Sequence, residues 1–213
     1  MQPRQSSGDQ YPIVAIQLHD VRNGAQLAVD QHNAANPRTP NPYGHIIRWQ
    51  ERRNDKTGTA FDWDLFVLAG DPAYDSRVTI KGDKYGSPDG LYFDADGRLW
   101  IQTDISNSSQ NLASKGYDGI GNNMMLAADP RTGETRRFLT GPRGCEITGV
   151  VTTPDQRTMF VNVQHPGEST TAWGTPTPAN PRAVSNWPEF DPAGRPRPST
   201  VVIRRLDGGV IGA

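Results

Sequence analysis

Cysteine is almost absent from this chain. Cys145 is the single one in 213 residues, which excludes an internal disulfide and a cysteine-built zinc site but leaves the redox compartment open. Charge of one sign is missing too. With 22 Lys+Arg against 23 Asp+Glu the net charge is −1, so no electrostatic case exists for nucleic acid or an anionic membrane as the main partner. No apolar run approaches the roughly 20 residues of a membrane-spanning helix, and the opening MQPRQSSGDQ lacks the basic-then-apolar order of a secretion signal. Long helical periodicity is likewise lacking, because the 22 Gly and 18 Pro interrupt most windows. There is no phosphate-cradling loop ending in Lys-Ser/Thr, no Gly-x-Ser-x-Gly and no His-Glu-x-x-His, which removes the commonest nucleotide, esterase and zinc-protease readings.

What is present is a succession of short runs rich in Val, Ile, Leu, Phe and Trp between turn signals. They fall at 45–50, 64–69, 91–93, 98–103, 124–128, 136–139, 149–152, 158–164 and 200–204. The fold class is therefore all-β. One short helix is expected around Gly24 to Asn33. Asp94-Ala-Asp-Gly97 and Asp129-Pro-Arg-Thr-Gly133 each join two runs as hairpin turns, Gly97 supplying a positive φ and Pro130 a pre-set one. Residues 88–142 thus form a four-stranded meander. Thr153-Pro-Asp-Gln-Arg157 starts a second unit, with Asp155 lying 59 residues after Asp96. Four strands with hairpin turns at that spacing describe a β-propeller blade, and His45–Trp49 and Asp64–Leu68 supply two outer strands of a preceding blade. A β-sandwich is the alternative architecture. Residues 166–198 hold eight of the prolines and form an insertion. It is either a linker or a partly ordered loop, the latter favoured by Trp173, Trp187 and Phe190.

In a propeller the innermost strand of each blade starts at one face of the channel, and the second strand returns to that face. Asp89 in Ser87-Pro-Asp-Gly90 and Glu146 in Gly144-Cys-Glu-Ile-Thr-Gly149 open two such strands. Their carboxylates converge there, joined by Gln102, Asp104 and Asn107 after one second strand and Gln164, His165 and Glu168 after the other. Oxygen-rich clusters of this kind suit hard cations, and a His or carboxylate also serves iron or manganese. Each residue has a plainer reading. Asp89 is also a turn former, Glu146 can pair with Arg143, and His165 before Pro166 can simply hold its loop. Asp94, Asp96, Asp129 and Asp155 read as solvated turn residues, and Cys145 as a small packing residue.

Five strings taken in order are more specific than any one alone. Asn41-Pro-Tyr-Gly-His-Ile-Ile-Arg-Trp49, Ser87-Pro-Asp-Gly-Leu91, Gly97-Arg-Leu-Trp-Ile-Gln-Thr-Asp104, Gly144-Cys-Glu-Ile-Thr-Gly149 and Phe160-Val-Asn-Val-Gln-His-Pro-Gly-Glu168 together resemble the C-terminal part of the PhoX-type alkaline phosphatases, a bacterial family. The resemblance runs from about residue 36 to the end, and residues 1–35 match poorly. It implies a six-bladed propeller that hydrolyses phosphate monoesters at a Ca2+ and Fe3+ cluster, in a periplasmic or secreted protein. It also implies Asp89, Glu146 and Asp104 as metal ligands and His165 as a catalytic residue. About two and a half blades are present, so the N-terminal blades are expected to be a missing partner, and an open stack is expected to be prone to association. Two alternatives stay open: a non-catalytic propeller module that binds a partner, and a calcium-dependent lactonase-like hydrolase.

Overall fold

A computed structural model describes residues 13–16, 32–55 and 57–213. These residues are all-β, with two three-residue 3-10 turns and no α-helix. The strands are β1 (Ile13–Ile16), β2 (His45–Glu51), β3 (Phe61–Leu68), β4 (Lys81–Gly82), β5 (Pro88–Phe93), β6 (Leu99–Thr103), β7 (Met124–Ala128), β8 (Glu134–Thr140), β9 (Glu146–Thr152), β10 (Met159–Gln164) and β11 (Ser199–Ile203). The helix expected over 24–33 falls outside the described residues except at its last two positions, where Asn33 bridges to Asn36.

Three sheets result, with orders β1-β2-β3, β4-β8-β7-β6-β5 and β11-β10-β9. The expected meander is β5 to β8, and β4 adds a parallel strand on β8. β2 is a central strand, because β1 pairs with it antiparallel on the side away from β3. β1, β5 and β9, one strand from each sheet, are neighbours in space, β1 touching β5 and β5 touching β9. This arrangement is compatible with successive blades.

The middle sheet is apolar on both faces, which explains why β6 and β7 read as near-continuous apolar runs. Leu99, Ile101, Met124, Leu126 and Ala128 face one core together with Ile46 and Val67 of the first sheet. Trp100 and Met125 point the other way and share a second core with Ile147, Met159, Val161 and Val163 of the third. Successive side chains of a strand alternate between faces, so each of these strands feeds both cores. Trp100 is fully buried, meets Phe138 edge-on at 4.9 Å, and donates its ring N–H to Asp94 Oδ2 at 2.9 Å.

Asp94 corrects one expectation. It is not a solvated turn residue: it is buried, and it accepts from the Asp96 and Arg98 amides and from the Arg98 guanidinium as well as from Trp100. A charge removed from water needs that many donors.

The Pro-rich insertion is ordered by backbone bridges between Thr170 and Gly174 and between Thr177 and Asn180. Trp187 packs on the second core, Trp173 lies under the Arg143 guanidinium at 5.0 Å, and Phe190 stays exposed.

Candidate active site

The ends of four strands make the site. Pro88 of β5 pairs with Thr103 of β6, and Glu146 of β9 pairs with Gln164 of β10. Residues at a strand opening therefore sit beside residues at the neighbouring strand's exit. The Asp104 amide donates to the Ser87 carbonyl at 3.0 Å, placing Asp104 next to the opening of β5. β9 in turn packs against β5 and β6. Asp89, Asp104, Glu146 and His165 thus belong to one end of adjacent sheets, as their positions in the strand order suggest.

Each is held differently. Asp89 is exposed and lies where β5 bulges between Pro88 and Leu91. Gly90 lies in this bulge, where a Cβ would stand 2.7 Å from Gln102 Oε1, so a side chain there would have to displace the Gln102 amide. That amide oxygen accepts from the Val150 amide of β9 at 3.4 Å, so one side chain spans the second and third sheets. Asp104 is half-buried. Its carboxylate and that of Glu146 add to burial in pushing the Cys145 thiol up to about 12. Cys145 is accordingly a protonated packing residue, as expected for a fully buried thiol.

Glu146 is the best-supported carboxylate of the group. Its side chain keeps 13% of its exposure, and Oε2 accepts from Gln164 Nε2 at 2.8 Å and faces His165 Nε2 at 3.6 Å. The other ring nitrogen, His165 Nδ1, faces Glu168 Oε2 at 3.1 Å and the Gly144 carbonyl at 3.3 Å. The Glu146 carboxylate, with Glu168 and the Gly144 carbonyl behind it, outweighs burial and holds the imidazole's pKa up at about 9. With acceptors on both sides the ring is a doubly protonated donor at neutral pH. Glu168 takes a further bond from Asn107 Nδ2 at 2.5 Å. The pairing of Glu146 with Arg143 weighed from sequence is replaced by His165, since Arg143 stacks on Trp173.

The backbone explains why these groups meet. Gly144 has φ +66°, and a Cβ there would stand 2.7 Å from the Glu168 carbonyl. Only glycine fits this crossing. His165 itself has φ +38°, an uncommon conformation for a side-chain-bearing residue, and Gly167 follows at φ +80°. The chain thereby turns back so that Gly167 N reaches the Arg143 carbonyl at 2.9 Å and Glu168 N the Gly144 carbonyl at 3.3 Å.

Carboxylates of this kind suit a hard cation. Among the described residues, however, no group of three or more His, Cys, Asp or Glu side chains is close enough to hold one. The donor set seen here is incomplete for a resident metal.

The family model described as alkaline phosphatase PhoX matches residues 10–167, which takes in β1 to β10 and every residue of the site described above except Glu168 and Trp173. Comparison with curated proteins gives no match. Among solved structures, Pseudomonas fluorescens PhoX in complex with vanadate, a transition state analogue, is similar at 46% identity and a TM-score of 0.70. The similarity covers 84% of this chain and 29% of that one, so the chain spans under a third of its neighbour's length. A family match over most of the chain shows that this chain belongs to the PhoX alkaline phosphatase family.

Proposed function

We propose that this chain carries part of the active site of a metal-dependent phosphatase that hydrolyses phosphate monoesters. The observation that carries the reading is the family match together with the likeness to a protein captured with vanadate. Its three sheets act as blades of a propeller whose other blades lie in sequence corresponding to the rest of the neighbour. Asp89, Asp104 and Glu146 open toward the channel of that ring.

Electrostatics favours a cation there. Three carboxylates would repel a phosphate dianion, and a hard cation between them, Ca2+ or Fe3+ by the family resemblance, would offset that repulsion and polarise a phosphoryl oxygen. Further ligands come from outside the described residues. His165 has both nitrogens committed to carboxylates, so its part in this reading is to hold Glu146 in place.

Hydrolysis of p-nitrophenyl phosphate by a protein in which this chain is completed by the remaining blades, with calcium and iron supplied, tests the proposal. Release of nitrophenol that vanadate blocks is expected. The incomplete donor set favours a second reading, a non-catalytic propeller module; absence of hydrolysis with the fold intact supports that reading and counts against the first.

A further inference from the structure

A chain of contacts runs from the core into this site and involves residues that touch no substrate in the reading above. Gln110 and Asn123 are fully buried in the loops between β6 and β7. Asn123 Nδ2 donates to the Cys145 carbonyl at 2.8 Å and its Oδ1 accepts from the Ile105 amide at 2.6 Å, which ties the loop after β6 to the residue preceding Glu146. Gln110 Nε2 donates to the Ile105 carbonyl at 3.0 Å and to Asn107 Oδ1 at 2.9 Å. With its oxygen held by the core, the Asn107 amide nitrogen points outward to Glu168 Oε2, which forms an ion pair with His165 Nδ1 at 3.1 Å beside that nitrogen's hydrogen bond to the Gly144 carbonyl. His165 Nε2 then faces Glu146. The Asn107 carbonyl also accepts from the Thr171 amide at 3.2 Å, so Asn107 grips the start of the insertion through its backbone as well.

We infer that Asn107 is a positioning residue that sets the His165 ring, and through it Glu146, by fixing Glu168. The physical reason lies in Glu168. Its side chain is 53% exposed, and a flexible exposed carboxylate loses rotamer freedom when it pairs with a histidine. A second donor, itself anchored in the core, removes that freedom beforehand. A carboxylate behind an imidazole fixes the ring's orientation, as second partners of functional histidines do elsewhere. The contacts stand on geometry alone, while their bearing on hydrolysis rests on the proposed function.

The test is a spectroscopic signature in the full 213-residue chain. Asn107→Asp is the informative variant: its oxygens still accept from Gln110, so the loop stays anchored, but the donor to Glu168 is gone and a like charge replaces it. The His165 Nδ1–H proton resonance is followed by NMR under conditions that keep the ring protonated, with Glu168→Gln as the reference for a lost ion pair beside the Gly144 hydrogen bond. Asn107→Asp is expected to move this resonance upfield, in the direction of Glu168→Gln, with the melting temperature unchanged. Asn107→Ala is expected to do the same if it folds. An unshifted resonance in Asn107→Asp overturns the inference, whether or not Glu168→Gln shifts it. Hydrolysis by the protein completed with the remaining blades is assayed in parallel, so failure of the phosphatase reading is told apart from failure of this one.

Discussion

Single residues divide into those that keep the sheets together and those that face the site. Asp94 belongs to the first group. Asp94→Ala strands the buried Trp100 ring N–H and leaves Arg98 without its carboxylate, so a loss of roughly 3 kcal/mol is expected in urea unfolding. Asp94→Asn, which keeps an acceptor for the ring, is expected to lose less. His165 belongs to the second group and titrates with a known sign. Its folded pKa is raised from 6.5 to about 9, so the stability it contributes is full below its unfolded pKa and lost as pH rises through about 9. The melting temperature of the unmodified chain should therefore exceed that of His165→Gln at about pH 6, and the margin should vanish by about pH 10. A margin that grows with pH would mean that the ring is neutral in the fold.

Elements show what a sequence displays and what it hides. The nine apolar runs all became strands, since both cores draw on short alternating segments that end at Gly, Pro or Asp. β4 was not legible: Lys81-Gly82 has no apolar signal and is a strand only because Thr135 of β8 lies beside it. The buried role of Asp94 was also hidden, as a turn Asp reads as solvated until the Trp100 ring is known to reach it. At the site, the order of Asp89, Asp104, Glu146 and His165 along strand openings and exits was visible. The Asn107 to Glu168 contact was not, since it joins residues from two loops 61 positions apart. The crossing at Gly144 is the element-level weak point. Gly144→Ala places a methyl group against the Glu168 carbonyl at a positive φ, and roughly 1–3 kcal/mol of strain is expected. Displacement of Glu168 and a changed His165 signal should accompany the lower unfolding midpoint. If stability falls and the His165 signal is unmoved, the crossing does not set the ring.

Taken whole, the described residues form three sheets around two cores, with apolar side chains left on outer strands. Phe61 and Trp63 of β3 are 51% and 41% exposed, and Val202 of β11 is 55% exposed. β3 and β11 each pair on one side within their sheets, and such edges invite further pairing. Concentration-dependent association is expected in sedimentation, and Val202→Lys should weaken it; a monomer at all concentrations would show these edges to be protected. Among the described residues, the carboxylates at this end of the strands do not by themselves close a metal site. The central claim is that this end of the sheets is a phosphatase site with Glu146 at its centre. Hydrolysis of p-nitrophenyl phosphate by the protein completed with the remaining blades and by its Glu146→Ala variant, with calcium and iron present and with or without vanadate, measures it most directly. The account predicts vanadate-sensitive hydrolysis that falls about 100-fold or more in Glu146→Ala while the fold persists. No hydrolysis by the completed, folded protein, or equal rates in the two proteins, would contradict it.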